Sequence, residues 1–295
     1  MRNQTLRADL LMVLTALIWG SGFIAQDAGM AHIGPFLFTG LRFALGSACL
    51  LPLLLLRKPT GSEPFMSVSL WKSGVLLGLV LTLGVGLQQI GLLFTSVTNS
   101  GFITGLYVIV VPVLGLMLGH RTGTGTWLGA TLAVVGMFLL SVGADFHVAP
   151  GDWLQLMGAF AWAAHVVLVG LFARRHDSIR LAFIQFTVCS LVSLVLALIF
   201  EPITLPSIQA ALPSLLYGGI LAVGVGYTLQ VVAQQHAIAS HAAIIFSLEA
   251  VFAAVAGALI LGESLPLRGY LGCALMLTGM LVAQLWPRQR MPVLA

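Results

Sequence analysis

The chain has 295 residues, of which 59% are hydrophobic and only 7% are charged, and its mean hydropathy is +1.05. Soluble domains carry about 25% charged residues, so this chain has too few charges to solvate a globule of its size. That shortage excludes a soluble enzyme, and the high hydrophobic fraction excludes a disordered chain. The net charge of +4 is scattered between apolar runs, so nucleic-acid binding is not expected. The composition predicts a polytopic membrane protein.

Ten apolar runs are long enough to cross a bilayer, since a spanning helix needs about 20 mostly apolar residues. In chain order they are 9–27, 34–56, 71–93, 98–119, 125–143, 152–173, 180–200, 212–235, 241–261 and 267–286. The segments between them are too short to form an extramembrane domain. The predicted fold class is therefore an all-α integral membrane protein with ten transmembrane helices.

The basic residues that flank these runs predict an orientation. With a cytoplasmic N-terminus, the cytoplasmic segments hold 11 of the 13 basic residues: Arg2, Arg7, Arg57, Lys58, Lys72, Arg121, Arg174, Arg175, Arg180, Arg288 and Arg290. Arg268 falls outside, and Arg42 lies within a span. By the positive-inside rule we expect a multi-pass protein of the cell (inner) membrane with both termini in the cytoplasm.

A repeat with an offset of 143 residues relates the two halves of the chain. It matches Ala16-Leu17-Ile18-Trp19 with Ala159-Phe160-Ala161-Trp162, Trp127-Leu128-Gly129 with Tyr270-Leu271-Gly272, Gly136-Met137 with Gly279-Met280, and Arg42-Phe43 with Gln185-Phe186. Each half has five spans, an odd number, so the halves cross the membrane in opposite orientations. Inverted repeats are typical of secondary transporters, whose site lies where the repeats meet. The predicted domains are two five-helix repeats, 1–143 and 152–286, followed by a short cytoplasmic tail, 287–295.

The chain resembles the drug/metabolite transporter superfamily, specifically its EamA-type members with ten helices. The residues that carry the resemblance are Leu17-Ile18-Trp19-Gly20-Ser21, Pro35, Arg42-Phe43, Asn99 through Tyr107, Pro112, Ser240, Leu248-Glu249 and Leu261-Gly262-Glu263. The resemblance implies a basket of helices 1–4 and 6–9 around a central cavity, with helices 5 and 10 at the periphery. It also implies transport, commonly export, of small metabolites such as amino acids or related compounds. Ala250 stands where the family often has proline, which predicts a straighter ninth helix.

Two charged side chains, Arg42 and Glu249, lie well inside predicted spans. At a rise of about 1.5 Å per residue, their depths differ little enough for two long side chains to meet. Charges inside a membrane face a cavity or a partner. Two interpretations therefore stay open, namely a buried structural ion pair and a substrate or proton site.

Uncharged polar and aromatic residues form stripes at helical spacing in several spans. The stripes are Trp19, Phe23 and Gln26; Ser100, Thr104 and Tyr107; Gln155, Trp162 and His165; and Tyr227, Gln230 and Gln234, with Gln88 and Gln89 in span three. Interhelical hydrogen bonding explains any single position, but aromatic and amide faces on five helices predict a small-molecule pocket. The predicted substrate-binding residues are Trp19, Arg42, Gln88, Tyr107, Trp162, His165, Tyr227, Gln230 and Glu249.

Glu249 and His165 are also the candidates for proton coupling. A carboxylate inside the membrane can bind a proton on one side and release it on the other, and an imidazole at similar depth can relay it. No metal or cofactor is expected, because the histidines lack metal-ligand spacing. The cysteines Cys49, Cys189 and Cys273 lie in separate apolar runs without a CxxC pair.

The predicted function is secondary active transport, with export the expected direction, of a small metabolite by alternating access at a central cavity. An ATP-driven pump is excluded because neither Lys58 nor Lys72 lies in a Gly-rich loop. A flippase for a lipid-linked carrier stays open as an alternative, and so, with less support, does an intramembrane enzyme. The predicted partners are a small-molecule substrate and the lipid bilayer, with a homodimer as an open assembly.

Overall fold

The structure is a computed structural model that describes residues 2–57, 63–95, 97–119, 122–141, 149–260 and 266–286. In these ranges the chain forms helices and no strand. The helices are α1 (Arg2–Met30), α2 (Pro35–Leu56), α3 (Val68–Leu92), α4 (Val97–Gly105 and Tyr107–Met117), α5 (Thr124–Ser141), α6 (Pro150–Phe172), α7 (Ser178–Phe200), α8 (Leu212–Leu216, Tyr217–Tyr227 and Thr228–Gln234), α9 (Ala239–Phe246 and Glu249–Ile260) and α10 (Leu267–Leu285). A short helix, Leu205–Ala210, precedes α8.

The predicted fold class is confirmed. Nine helices in the described part of the chain are long and apolar enough to cross a membrane, and Thr124–Leu140 is a shorter apolar helix at the place of the fifth span. The largest boundary difference is in α1, which begins at Arg2 rather than at residue 9, because the helix continues through the polar residues before its apolar run. The predicted tail 287–295, the end motif Leu261-Gly262-Glu263 and the basic residues Lys58, Arg121, Arg288 and Arg290 lie outside the described residues.

The helices of the two repeats pack against each other in equivalent pairs. Helix α1 contacts α8 and α9 of the second repeat, and its equivalent α6 contacts α3 and α4 of the first. Helix α2 packs along its own equivalent α7, and α5 packs along its own equivalent α10. A half-turn that relates the two repeats requires this pattern, because every contact between them then occurs twice with the repeats exchanged.

The contact between α5 and α10 shows the half-turn at the level of single residues. A methyl group added to Gly129 would lie 2.6 Å from the Gly279 carbonyl oxygen, and one added to Gly136 would lie 2.6 Å from the Gly272 carbonyl oxygen. The repeat offset relates Gly129 to Gly272 and Gly136 to Gly279, so the two contacts are copies of one contact. Glycines let the backbones approach this closely in an apolar medium.

Helices α4 and α9 are equivalent in the repeat, and both are interrupted near the middle of the span, at Leu106 and at Ser247-Leu248. In α9 the Ser247 hydroxyl donates to the Ile244 carbonyl (2.8 Å), and the Leu248 N–H donates to the Ile245 carbonyl (3.1 Å). These bonds tighten the turn and end the first segment. The absence of a proline at Ala250 therefore does not make the ninth helix continuous, because the interruption forms without one.

Helix α8 is widened where it faces the first repeat. Residues Tyr217–Tyr227 form a π-helix, a form that is rare and concentrated at functional sites. Glycines here leave room for α2, since a methyl group on Gly219 would lie 2.7 Å from the Leu45 Cβ. The largest apolar core lies beside this segment and contains Phe43, Phe186 and Val223.

Candidate functional site

One cavity lies between the two repeats and is lined by residues of seven helices. The lining residues are Trp19, Phe23, Gln26, Arg42, Gln88, Thr104, Tyr107, Trp162, Val166, Ala222, Tyr227, Gln230, Phe246 and Glu249. They come from α1–α4, α6, α8 and α9, so α7 is the one helix of the expected basket that supplies none. The volume of about 50 Å³ has room for only a few water molecules. A metabolite therefore requires the cavity to widen.

Arg42 on α2 brings the one cation to this lining. Its side chain is 4% exposed, and its guanidinium carbon lies 5.3 Å from the Phe38 ring centre and 5.4 Å from the Phe43 ring centre. The rings give a partial cation–π stabilisation. The guanidinium Nε is buried and has no hydrogen-bond partner among the described residues.

Glu249 brings the one carboxylate, and it begins the second segment of α9 directly after the interruption. Tyr107, the first residue of the second segment of α4, lines the same cavity. The two interruptions thus place Tyr107 and Glu249 together. A carboxylate at a helix N-terminus also meets the positive end of the helix dipole. Gly20 of α1 makes the position possible, since a methyl group there would lie 2.5 Å from the Glu249 carbonyl oxygen.

The interpretation of Arg42 and Glu249 as a structural ion pair is not supported. Both line the cavity, but neither forms an ion pair with a described residue. Depth alone does not fix the direction in which each helix presents its side chain.

The tryptophans that revealed the repeat both line the cavity, one from each repeat. The Trp19 indole N–H donates to the Ala222 carbonyl of α8 (3.2 Å), and the Trp162 indole N–H donates to the Gln88 Oε1 of α3 (3.0 Å). Each ring also packs against a glycine of the helix it bonds, at Gly226 for Trp19 and at Gly84 for Trp162. Both were predicted site residues, and both line the cavity.

Tyr227 lies between the tryptophans. Its ring centre is 4.6 Å from that of Trp19 and 6.2 Å from that of Trp162, which it stacks on at an interplanar angle of 19°. The Trp19 ring in turn contacts the Phe246 ring at 5.4 Å. Together these rings form an apolar wall across both repeats, a surface that suits an apolar or aromatic group of a ligand.

The amide side chains divide into two groups. Gln26, Gln88 and Gln230 line the cavity, and the Gln230 Oε1 is buried without a partner among the described residues. The others, although part of the predicted stripes, bond neighbouring helices: Gln155 donates to the Gln88 carbonyl (2.9 Å), Gln234 to the Val166 carbonyl (2.9 Å) and Gln89 to the Met30 sulfur (3.3 Å). For these three, interhelical packing is the observed role.

His165 is not among the lining residues. It is completely buried behind Trp162 and Tyr227, whose ring centres lie 6.1 and 6.4 Å from its own, and its Nε2 bonds the Gln185 Oε1 at 3.0 Å. Gln185 is the repeat equivalent of Arg42. The helical stripe placed His165 on the inner side of α6. However, three residues turn a helix about 60° short of a full circle, so the side chains of Trp162 and His165 point in different directions and only Trp162 lines the cavity.

Six lining residues were absent from the predicted set: Phe23, Gln26, Thr104, Val166, Ala222 and Phe246. Phe23, Gln26 and Thr104 belong to the stripes on α1 and α4, so the stripe was the signal that identifies them. Val166, Ala222 and Phe246 are apolar and carry no such signal, because apolar side chains face lipid, core and cavity alike.

A polar cluster joins the loop before α3 to the corner between α6 and α7. His176 Nδ1 contacts the Glu63 carboxylate at 2.8 Å, its Nε2 contacts the Ser73 hydroxyl at 3.0 Å, and Arg180 donates to the Glu63 carbonyl at 2.5 Å. Partial burial raises the pKa of the Glu63 carboxyl, but hydrogen bonds from Ser67 and His176 and the charges of His176 and Arg180 outweigh it, so that this pKa lies below its ordinary value.

The comparisons with known proteins agree with this architecture. The profile of the EamA-like transporter family matches residues 6–142 and 149–284. An uncharacterized transporter of Archaeoglobus fulgidus is 32% identical over 96% of this chain and 87% of its own length. A probable amino-acid metabolite efflux pump of Salmonella typhimurium is 28% identical over 52% of this chain and 50% of its own. One crystal structure matches with a TM-score of 0.80 over 95% of this chain and 96% of the other, at 20% identity, which shows the fold alone.

Proposed function

Since the chain belongs to the EamA-like transporter family of the drug/metabolite transporter superfamily, we propose that it is a secondary active exporter of a small metabolite such as an amino acid. Transport proceeds by alternating access at the cavity between α1–α4 and α6, α8 and α9. The repeats 1–143 and 152–286 are the units that move. We propose both termini in the cytoplasm and the inner membrane as the location; a homodimer stays a prediction.

The observation that carries this proposal is a cavity that both repeats share and that holds a buried cation and a buried carboxylate. Charges are rare within spans and mark substrate or ion pathways. In inverted-repeat transporters such sites lie where the repeats meet and beside interrupted helices. Here Tyr107 and Glu249 each follow an interruption and line the cavity. Its volume of about 50 Å³ fits a contracted state that widens when substrate enters.

Glu249 is our candidate for coupling transport to protons. It is the carboxylate in the lining, and its oxygens can accept a proton or a hydrogen bond from a ligand. The relay role of His165 stays a prediction, with the restriction that its Nε2 bonds Gln185. Any relay from His165 to the cavity passes behind Trp162 or Tyr227.

Purified protein in vesicles tests the proposal. Vesicles loaded with a mixture of amino acids and metabolites are placed in an inward proton gradient, and released compounds are identified by mass spectrometry. We expect release of a small set of compounds from protein-containing vesicles only, and no difference from empty vesicles would overturn the proposed transport.

Glu249→Gln tests the coupling in the same vesicles. We expect this variant to lose gradient-driven release while it still exchanges labelled for unlabelled substrate. Glu201→Gln is the matched control, because Glu201 lies outside the cavity and accepts hydrogen bonds from the first turn of α2. Gradient-driven release at the normal rate in Glu249→Gln would contradict coupling through this residue and leave transport itself intact.

A further inference from the structure

The outer face of α3 carries a groove that is separate from the cavity. The groove has a volume of about 630 Å³ and is lined by one lysine among apolar side chains: Met66, Val68, Trp71, Lys72, Val75, Leu76 and Leu79. On α3 these residues recur at spacings of three and four, so they form one stripe along the helix. From Val68 to Leu79 the stripe is about 16 Å long, at a rise of about 1.5 Å per residue. This length is close to one leaflet of a bilayer whose hydrocarbon core is about 30 Å thick.

The loop before α3 forms the end of the groove that contains Met66. The Trp71 indole N–H donates to the Phe65 carbonyl (3.0 Å), and the two rings meet edge to face with their centres 6.0 Å apart. The Phe65 ring centre lies 6.4 Å from that of Phe183 on α7 and 5.7 Å from the Arg180 guanidinium carbon. These contacts hold the loop against α3 and α7. The shape of the groove is therefore set by contacts within the protein.

The two faces of α3 differ in the neighbour that each suits. On the face towards α7, a methyl group added to Gly74 would lie 2.6 Å from the Ile184 Cγ2, and one added to Gly78 would lie 2.6 Å from the Val188 Cβ. Small residues mark the contacts between membrane helices, whereas the groove is lined by long or branched side chains. A second copy packed face to face on the groove would bring another Lys72 and no carboxylate from this stripe. The groove therefore suits a lipid better than a helix.

Lys72 brings a positive charge to this groove that the protein does not neutralise. Its side chain is exposed and forms no ion pair with any residue that the structure describes. The carboxylate of the adjoining loop, Glu63, is already bonded by the Ser67 hydroxyl (2.6 Å) and by His176 (2.8 Å). A lysine in the first turns of a span extends its ammonium group to the level of the lipid headgroups. There it attracts the phosphate of an anionic lipid.

We infer that this groove is a binding site for an anionic phospholipid, with the phosphate at Lys72 and one acyl chain along the stripe. A zwitterionic phospholipid carries its own cation beside the phosphate, so Lys72 favours the anionic lipid. The corresponding stretch of the second repeat, residues 203–216, contains no lysine or arginine. The inference therefore assigns one such site to each chain, on α3 and not on α8. It does not rest on the proposed function.

The first test measures the preference for charge. Native mass spectrometry of the purified protein gives the affinities of phosphatidylglycerol and of phosphatidylcholine with identical acyl chains. We expect phosphatidylglycerol to bind more tightly. In Lys72→Gln the ratio of the two affinities should fall about 5-fold, which corresponds to about 1 kcal/mol for one basic residue at a membrane surface. Lys72→Arg should keep the ratio, and so should the matched control Arg175→Gln, which removes an exposed cation from the corner between α6 and α7. Equal affinities in the unaltered protein, or an unchanged ratio in Lys72→Gln, would overturn the inference.

The second test locates the lipid on the unaltered protein. Nanodiscs of phosphatidylcholine receive a small amount of phosphatidylglycerol with a photoactivatable acyl chain, and the modified residues are mapped after irradiation. We expect adducts concentrated in residues 66–79, and we expect unlabelled phosphatidylglycerol, but not glycerol 3-phosphate, to suppress them.

Leu76→Trp should also reduce these adducts, because the larger ring fills the groove while Lys72 stays in place. Leu198→Trp on the exposed face of α7 is the matched control and should leave them unchanged. Adducts spread evenly over the lipid-facing helices would mean that only unselected boundary lipid covers α3 and would overturn the inference. Cross-links between two copies of the chain at this stripe would overturn it as well.

Discussion

Trp19 in the first repeat and Trp162 in the second occupy equivalent positions and play equivalent parts, whereas Arg42 and its equivalent Gln185 do not. Each tryptophan lines the cavity and donates to a helix of the other repeat. Arg42 faces the cavity, but Gln185 is completely buried and bonds His165. The scaffold is therefore symmetric, while the charges in the site are not. The symmetry relates the two halves of the fold, and the asymmetry places the cation of the cavity on the first repeat and its carboxylate on the second.

Among the substitutions considered, those at the crossing of α5 and α10 should destabilise the protein most. Gly136→Val and Gly279→Val each push a side chain into the facing backbone, whose carbonyl oxygen lies 2.6 Å from the added Cβ in both cases. We expect each to lower the free energy of unfolding by about 1–3 kcal/mol, and by similar amounts because the half-turn relates the two glycines. Unfolding in mixed detergent micelles measures this. Gly101→Ala, which meets open space, is the control, and an effect at only one of the two positions would contradict the half-turn.

The contacts at the two ends of the α2–α7 pair should differ in how much they stabilise the protein. Glu201 at the end of α7 accepts the N–H groups of Phe36 and Leu37 at 2.7 and 2.8 Å, so it caps α2. At the opposite end Arg57 contacts Asp177 at 3.6 Å with 44% of its side chain exposed. We expect Glu201→Ala to destabilise by about 0.5–2 kcal/mol and Arg57→Ala by about 0–1 kcal/mol. Equal losses in the same detergent titration would show that the Arg57 contact has been underestimated.

The hydrogen bonds of Trp19 and Trp162 should contribute less to stability, and their contributions can be compared between the two repeats. Trp162 bonds a side chain, Gln88, so a double-mutant cycle of Trp162→Phe and Gln88→Leu isolates that bond. We expect a coupling energy of about 0.6 kcal/mol, the average for such bonds between membrane helices. Trp19 bonds a backbone carbonyl, so Trp19→Phe combined with Gln88→Leu should be additive and serves as the control. Coupling in the control pair would mean that the two walls are not independent.

The smallest expected effect is the pH dependence of stability that arises from the polar cluster of Glu63, Ser73, His176 and Arg180. The pKa of the Glu63 carboxyl lies below its ordinary value of 4.5, so its contribution to stability is fully present above that value and is lost as the pH falls through the lowered pKa. Glu63→Gln should lower stability at neutral pH and flatten the loss of stability below pH 4.5. Thermal unfolding from neutral to acidic pH checks this. Parallel acid profiles of the variant and the unaltered protein would contradict it.

Much of the fold could be predicted from the sequence, because spans must be apolar and the repeat is marked by tryptophan and glycine. Details that depend on local hydrogen bonding could not be predicted in this way. The interruption of α9 at Ser247-Leu248 needs no proline, and the π-helix of α8 has no periodicity of its own in an apolar run.

The candidate site was predicted where polarity was the signal. Eight of the nine predicted binding residues line the cavity, and His165 does not. Whether Arg42 and Glu249 touch depends on helix rotation and on the π-helix of α8, where Gly218 leaves room beside the Arg42 Cδ at 3.5 Å. Neither quantity is readable from spacing along one helix.

Thiol labelling inside the cavity tests most directly whether this space is the substrate path. In a background with Cys49, Cys189 and Cys273 replaced by serine, Gln230→Cys lies in the cavity wall and Leu221→Cys lies on the exposed side of the same helix. We predict that a membrane-impermeant thiol reagent modifies Gln230→Cys and not Leu221→Cys, and that a compound released in the vesicle assay slows this modification. Equal inertness at both positions, or modification of Gln230→Cys at a rate that no released compound changes, would contradict the account.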